Sequence, residues 1–465
     1  MELGQYKTPA GVARFMASLF EGGEGECRLL DAGAGVGALT CAFLDRWVAG
    51  EFRFTAVEAT AYEIDDRLRE HLSQQLAAYS NVQRKILAGD FIALAAQAYL
   101  WGGGGYTHAI INPPYKKIGS HSQHRLALRQ AGIETVNLYS AFVALAVALS
   151  APGGQIVALI PRSFCNGPYY RPFRSFMLER AALKSIHLFD SRHATFKADS
   201  VLQENVIIYL ERGGQQGPVT ISTSTDDTFS DLVKRQHLFE QIILPDDPEQ
   251  FIHIPTLLEQ NEPGQFSAVA CTLSELGIQV STGPVVDFRL KEHLRSLPQE
   301  GTVPLLYPAH FADDGIRWPR TDTTKPNAIH RNTETEEWLY PSGFYCVVKR
   351  FSAKEERRRL TARVIDPSDF GDAERLGFEN HLNILHNNKQ GLPAALAHGL
   401  TLYLNSTTAD QQFRRFSGHT QVNATDLRQM TYPSRATLIQ LGEWARQQQQ
   451  LTQAQLDARI EDMTR

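Results

Sequence analysis

Four consecutive residues, Asn112, Pro113, Pro114 and Tyr115, follow the apolar run Ala109-Ile110-Ile111. Residues of these types, in this order, suit the holding of a planar NH₂ group. An exocyclic amine on an aromatic ring is a weak nucleophile, because its lone pair is delocalised. If Asn112 Oδ1 and the Pro113 carbonyl both accept hydrogen bonds from it, positive charge developing on nitrogen is stabilised. That is the electrostatics of an oxyanion hole with the polarity reversed. The prolines stiffen the loop and bring no N–H of their own. Tyr115 offers a face on which a base can stack. A strand ending in a proline turn has the same appearance, and the upstream residues argue against so plain a reading.

Upstream, Leu29-Leu30-Asp31-Ala32-Gly33-Ala34-Gly35-Val36-Gly37 runs from a short apolar segment into a glycine-rich turn. Glycines such as Gly33 and Gly35 let the backbone turn tightly and approach a ligand. Alone, such a loop fits a dinucleotide, S-adenosylmethionine or a bare turn. Asp31 favours S-adenosylmethionine, since a carboxylate suits an ammonium group and repels a pyrophosphate. The next strand should end in an acid that accepts both ribose hydroxyls. Glu63 is preferred because a helix beginning at Asp66 follows at once. Glu58 is the alternative, on the opposite face of a regular strand. A third strand ends at Gly89-Asp90-Phe91, where Asp90 can accept from an adenine amine and Phe91 can pack on the ring. Asp90 is equally a residue type that caps a helix.

The elements that must position these residues alternate. Helices are expected over Ala10–Leu19, Leu39–Val48, Asp66–Tyr79 and Asn137–Ser150. Strands are expected over Arg28–Asp31, within Phe52–Glu63, and over Lys85–Leu87, Thr107–Ile111 and Gln155–Ile160. Segments at Ser185–Phe189 and Asn205–Leu210 would add final strands. Buried apolar strands between helices indicate a doubly wound, Rossmann-like α/β domain, with a sheet covered on both faces. The texture changes at Gly213-Gly214-Gln215-Gln216-Gly217-Pro218. The expected division is therefore a catalytic domain over 1–215, an α+β domain over 216–435 and a C-terminal helix over 436–465.

The bulk properties agree. A chain of 465 residues calls for two or three domains, and its composition is that of a globular protein. No apolar run reaches the ~18 residues of a membrane span. The N-terminus lacks the pattern of a signal peptide, and the five cysteines form no C-x-x-C pair. A cytoplasmic location and no metal are expected. The net charge of -5 leaves room for a local basic face. Lys349, Arg350, Lys354, Arg357, Arg358, Arg359 and Arg363 crowd one stretch. Such a run is commonly no more than a solvated face.

The order of these motifs resembles the gamma class of adenine-N6 DNA methyltransferases of bacterial restriction–modification systems, type II in particular. Gly4-Gln5-Tyr6-Lys7-Thr8-Pro9 comes first, then the glycine loop, the acidic strand ends, Asn-Pro-Pro-Tyr, and a long second half. The likeness is clear over residues 1–215. It is fainter in Ser281–Arg289, Phe378-Glu379-Asn380-His381 and Gly418–Leu427, which look like a target-recognition half. The glycine loop carries an acid where many members have a proline-containing form. The resemblance implies S-adenosylmethionine as cofactor, with Tyr6 and Thr8 at its methionine end. It implies that Asn112 and Pro113 hold the target amine and that Tyr115 stacks on the base. A second aromatic normally completes the sandwich, and Phe196 is the candidate, with Phe189 the alternative. Double-stranded DNA is the implied partner, with a cognate restriction endonuclease as a functional one.

A target adenine must be flipped out of the duplex to be reached. Lys349, Arg350, Arg357 and Arg358 are the expected phosphate contacts. Asn380, His381, Gln421, Asn423 and Arg428 are of types that read base edges. Methylation of RNA adenine or of a protein glutamine amide would use the same loop. Cytosine-N4 methylation usually carries serine in place of Asn112. A catalytically dead specificity protein is the remaining alternative.

Overall fold

The computed structural model describes residues 8–189, 204–245, 247–255, 271–312, 315–352, 356–417, 420–448 and 451–464. The chain divides into two compact units, Met1–Leu257 and Leu258–Arg465.

The first unit is built on a nine-stranded sheet. Its strands are β1 (Glu24–Ala32), β2 (Arg53–Glu63), β3 (Val82–Ala88), β4 (Tyr106–Ile111), β5 (Ser150–Pro161), β6 (Ala181–Phe189), β7 (Asn205–Arg212), β8 (Val219–Ser224) and β9 (Val233–His237). They lie in the order β3-β2-β1-β4-β5-β7-β6-β8-β9. Strands β1 to β5 run parallel, and β7 enters antiparallel between β5 and β6. The helices are α1 (Ala10–Ser18), α2 (Ala38–Val48), α3 (Asp66–Leu76), α4 (Phe91–Leu100), α5 (Gln123–Gln130), α6 (Leu138–Leu149) and α7 (Arg171–Arg180).

The apolar run at the end of β4 shows why the sheet is covered on both faces. Ala109, Ile110 and Ile111 are all 0% exposed. Strand alternation sends Ile110 into the core that also holds Phe15 of α1 and Phe43 of α2. It sends Ala109 and Ile111 into the core that holds the interior side of α6. Helix α6 is apolar all round, and ten of its twelve residues are buried, as such a helix requires. Strands β1 and β4 are neighbours although β2 and β3 lie between them in the chain, which makes their carboxyl ends the switch point of the sheet. The doubly wound architecture expected from the alternation is the one observed.

The boundary expected at 215/216 falls inside this unit. Gln216 folds the glycine-rich stretch back as a tight connection. Its side chain accepts from the Leu183 amide at 2.8 Å and donates to the Leu183 carbonyl at 3.0 Å. Strand β8 then pairs in parallel with β6, and Val219 and Ile221 enter the core. Glycine and proline marked a turn there, and the domain continues to Leu257.

The second unit is α+β. Gln279–Thr282, Leu382–His386, Tyr345–Lys349 and Ala362–Ile365 form, in that order, an antiparallel four-stranded sheet. A second sheet has five short strands, in which Thr302–Leu306 and Arg375–Phe378 are neighbours. Helices Ala394–Leu404, Thr407–Phe416 and Arg435–Ala445 supply much of its core, including Leu400, Phe413 and Leu438. The expected C-terminal helix is two helices, Arg435–Ala445 and Gln453–Thr464.

Candidate functional site

A cavity of about 560 Å³ opens at the switch point of the first unit. Its walls include Gly33 to Val36, Glu63, Asp90, Phe91, Asn112 and Pro114. Residues from three separate strand ends and the proline loop thus reach one space.

The glycine loop is tied to the end of β2. Gly33 and Ala34 each donate to the Tyr62 carbonyl at 2.9 Å, and the Gly35 amide donates to Glu63 Oε2 at 2.8 Å. Gly35 and Gly37 hold positive φ angles of 57° and 90°, which explains glycine at both. Glu63 Oε1 accepts from the Asp65 amide at 2.9 Å, so two backbone amides fix the carboxylate at the end of β2. With three loop amides engaged inside the protein, no anion cradle of the pyrophosphate-binding kind is left there. The acids and hydrogen-bond acceptors around the cavity suit a nucleoside carrying hydroxyls and an amine.

Glu58 stands in the middle of β2 and pairs with Lys85 at 2.8 Å, and it is not a wall of the cavity. Asp31 is 1% exposed and is not a wall either. It lies behind the loop, where Oδ2 accepts from Thr40 Oγ1 of α2 at 2.6 Å and Oδ1 is buried without a hydrogen bond. The direct contact expected of Asp31 is therefore replaced by a charge beneath the site. Burial pushes its carboxyl up to about 7, with a smaller push from Glu63.

Asp90 serves two partners. Oδ1 caps α4 by accepting from Ala93 N at 2.9 Å, and Oδ2 meets His124 Nε2 at 2.9 Å. Phe91 packs edge-on to Tyr62 at 4.9 Å and tilted against Phe142 of α6 at 4.8 Å. His124 and Phe142 line the cavity as well, together with Lys116 and Lys117. Nothing in local spacing singles these four out. They arrive through the segment after the proline loop, which is held across by Ile118 N to Val136 O and Leu138 N to Lys116 O, both 2.8 Å.

At the proline loop, Asn112 Nδ2 donates to Thr8 Oγ1 at 3.0 Å. In that orientation the amide turns Oδ1 towards the Tyr115 hydroxyl. Oδ1 accepts from the Tyr115 hydroxyl at 3.2 Å, and the same hydroxyl is 3.4 Å from the Leu159 carbonyl. The Tyr115 ring stands edge-on to Tyr139, with centroids 6.2 Å apart. Thr8 is itself a cavity wall. Tyr6 and Phe196 lie outside the described residues. Phe189, the alternative stacking residue, is 3% exposed and packs on His187 and Phe229, which makes it core.

Over its full length the chain is 51% identical to the type II methyltransferase M.BsuBI of Bacillus subtilis, with 99% of this chain and 94% of that protein aligned. The chain belongs to the type II restriction–modification methyltransferases. Residues 39–196 match the family model of the Eco57I restriction-modification methylases. The type II methyltransferase M.PstI of Providencia stuartii is 42% identical, over 94% of this chain and 88% of that one. Among solved structures, DrdV in its DNA complex aligns with a TM-score of 0.53 at 13% identity, over 95% of this chain and 57% of that one. The type IIL restriction-modification enzyme MmeI, in complex with DNA, gives 0.53 at 9% identity, over 94% and 68%. At such identities the likeness is one of fold.

In this methyltransferase the second unit treats its basic run unevenly. Arg359 is 2% exposed, and its guanidinium bonds Ser352 and Ser417. Arg358 donates to the Asn405 carbonyl at a helix end and to Thr407 Oγ1, and Arg363 donates to the carbonyls of Ala312 and Ala362. Lys349 lies 3.8 Å from Glu356. The expectation of one continuous phosphate face is thereby corrected, because most of these cations close local backbone or carboxylate valences. Arg357 is exposed, and Lys354 lies outside the described residues. Asn423 caps the helix Ala424–Gln429 in a reciprocal box with Asp426, and Arg428 donates to the Val280 carbonyl, so both have structural work. Arg350, Asn380, His381 and Gln421 do come together. Arg350 donates to the Asn380 carbonyl at 3.1 Å and to Gln421 Oε1 at 3.4 Å. Among the described residues no group of His, Cys, Asp and Glu is placed to hold a metal, and no helix is long and apolar enough to cross a membrane.

Proposed function

We propose that this chain transfers the methyl group of S-adenosylmethionine to N6 of an adenine flipped out of duplex DNA, at a specific sequence. In a restriction–modification system that mark would protect host DNA from a cognate endonuclease. What carries this function is the position of Asn112: at the carboxyl end of β4, its amide bonded to Thr8, on the wall of a cavity whose opposite strand ends present Glu63 and Asp90.

S-adenosylmethionine, when bound, supplies an electrophilic methyl group. Glu63 accepts from ribose hydroxyls and Asp90 from the adenine amine of the cofactor, with Phe91 against its ring. Asp31 and Glu63 place negative charge under and beside the methionine end. The target amine is held by Asn112 Oδ1 and the Pro113 carbonyl, and charge developing on nitrogen is met by acceptors already in place. No side chain has to take a proton before methyl transfer. Stacking on Tyr115 helps recover the few kcal/mol that flipping costs.

The test is Asn112→Ala. Transfer of labelled methyl to duplex DNA should vanish, while calorimetric affinity for S-adenosylmethionine stays within a few-fold. Full activity in that variant would overturn the mechanism. Nucleoside mass spectrometry of the wild-type product distinguishes N6-methyladenine from N4-methylcytosine, and parallel assays on RNA and protein test the substrate class.

A further inference from the structure

Three stretches of the second unit that resemble a target-recognition half, near 281–289, 378–381 and 420–427, converge on one surface beside residues 350–352. Main-chain hydrogen bonds join them. Arg350 N donates to the His381 carbonyl at 2.9 Å, Val422 N to the Arg350 carbonyl at 2.6 Å, and Asn380 N to the Val285 carbonyl at 2.9 Å. Phe351 and Gln421 form a bridge of their own. Gly283 lies so close that a Cβ there would stand 2.1 Å from the Glu379 carbonyl oxygen, and a side chain at that position would push the assembly apart.

On this frame stand planar side chains. Phe351 is 39% exposed, and its ring centroid is 4.8 Å from that of His381. His381 is held from below by Glu379, a carboxylate 0% exposed, which accepts from both the His381 amide and Nδ1. With Nδ1 engaged, Nε2 is the ring nitrogen that makes no hydrogen bond among the described residues. Burying a carboxylate is costly unless it is well paired. Here the whole of that pairing goes to fixing the orientation of one half-exposed imidazole. A buried carboxylate held behind an imidazole in this way sets the direction in which the other ring nitrogen points.

The charge on this surface speaks against a phosphate clamp. Phosphate contacts need uncompensated cations. The guanidinium of Arg350 is already bound to the Asn380 carbonyl and to Gln421 Oε1. What the surface offers is one apolar ring, one oriented ring nitrogen and one amide, which is the equipment for base edges in a groove.

We propose that Phe351 and His381 determine part of the target sequence: Phe351 by contact with a thymine 5-methyl group, His381 by a hydrogen bond from or to Nε2 on a neighbouring base edge. This rests on duplex DNA being the substrate.

The methylated sequence is first read from DNA of cells expressing the full chain. Duplexes bearing that sequence are then made with uracil, which lacks the methyl group, in place of thymine at one position at a time. At one position wild type should lose about fivefold or more in kcat/KM, in the range of a single base-contact loss. Phe351→Ala should lose that discrimination and treat thymine and uracil alike. His381→Ala should accept additional bases at a neighbouring pair, seen as new methylated sequences in cells. Phe351→Ala should keep the wild-type melting temperature, whereas His381→Ala takes the partner from the buried Glu379 carboxylate and should melt lower, so its specificity is read below its own melting point. Equal thymine–uracil discrimination in wild type and Phe351→Ala, no discrimination in wild type, or an unchanged sequence for His381→Ala would each overturn the inference. Failure of wild type to methylate duplex DNA at all would be a separate result, and would sink the proposed activity itself.

Discussion

The Tyr115 hydroxyl donates to Asn112 Oδ1 at 3.2 Å, so the acceptor proposed for the target amine is occupied by a side chain of its own loop. An entering amine has to displace that hydroxyl, which keeps the Leu159 carbonyl as a partner 3.4 Å away. The two parts of Tyr115 therefore separate by mutation. Tyr115→Phe removes a competitor and keeps the ring. It should retain kcat within a few-fold and lower KM for DNA. Tyr115→Ala removes the stacking face and should cost roughly ten- to a hundredfold in kcat/KM, the size of one base–aromatic stack. Steady-state kinetics on a methylatable duplex checks both, and equal losses in the two variants would refute the division.

Glu63 and Glu58 make opposite predictions. Glu63 is fixed by two backbone amides on the cavity wall, whereas Glu58 faces Lys85 outside it. Glu63→Gln should weaken S-adenosylmethionine binding by roughly tenfold or more, as expected for loss of charge-assisted hydrogen bonds. Glu58→Gln should leave binding unchanged. Calorimetry on the two variants decides, and a larger loss for Glu58 would reverse the assignment.

Asp31 gives the site a pH dependence. Its folded carboxyl is raised from the usual 3.8 to about 7 by burial. Between those values the folded chain holds a proton that the unfolded chain has released, and stability without ligand falls as pH rises through that window. A cation seated over the loop favours the carboxylate and so expels the proton. Binding of S-adenosylmethionine near pH 6 should release up to about one proton. Asp31→Asn should release none. Calorimetry in buffers of different ionisation enthalpy measures this, and undiminished release in Asp31→Asn would point to another group.

Arg357 and Arg359 are two residues apart and should behave unlike. Arg359 is buried against Ser352 and Ser417, and its own amide donates to Asp410 Oδ1 at 2.7 Å. Arg359→Ala should cost about 3 kcal/mol of stability, as removal of a buried hydrogen-bonded charge does. Arg357 is exposed. Arg357→Ala should leave the melting temperature alone and, if that side chain meets a phosphate, lower the salt slope of DNA binding by about one. Thermal melts and binding titrations over a range of salt separate the two effects.

The sequence by itself determined what depends on near neighbours. The run into Asn112 and the alternation of strands and helices are local patterns, and the doubly wound sheet follows from them. So does the proline loop at a strand end, because the apolar run and the loop are contiguous. Tertiary structure decided whatever depends on partners far along the chain. The choice of Glu63 over Glu58 needed the whole length of β2, since two acids of opposite parity cannot face one cavity. The boundary at Leu257 depended on Gln216 reaching back to Leu183, and on β8 finding β6. The basic run dissolved because Arg358 and Arg359 meet residues about fifty positions or more away, at Asn405 and Ser417. His124 and Phe142 reached the cavity in the same way. Periodicity reports which face of an element is buried, and only packing reports what that face is buried against.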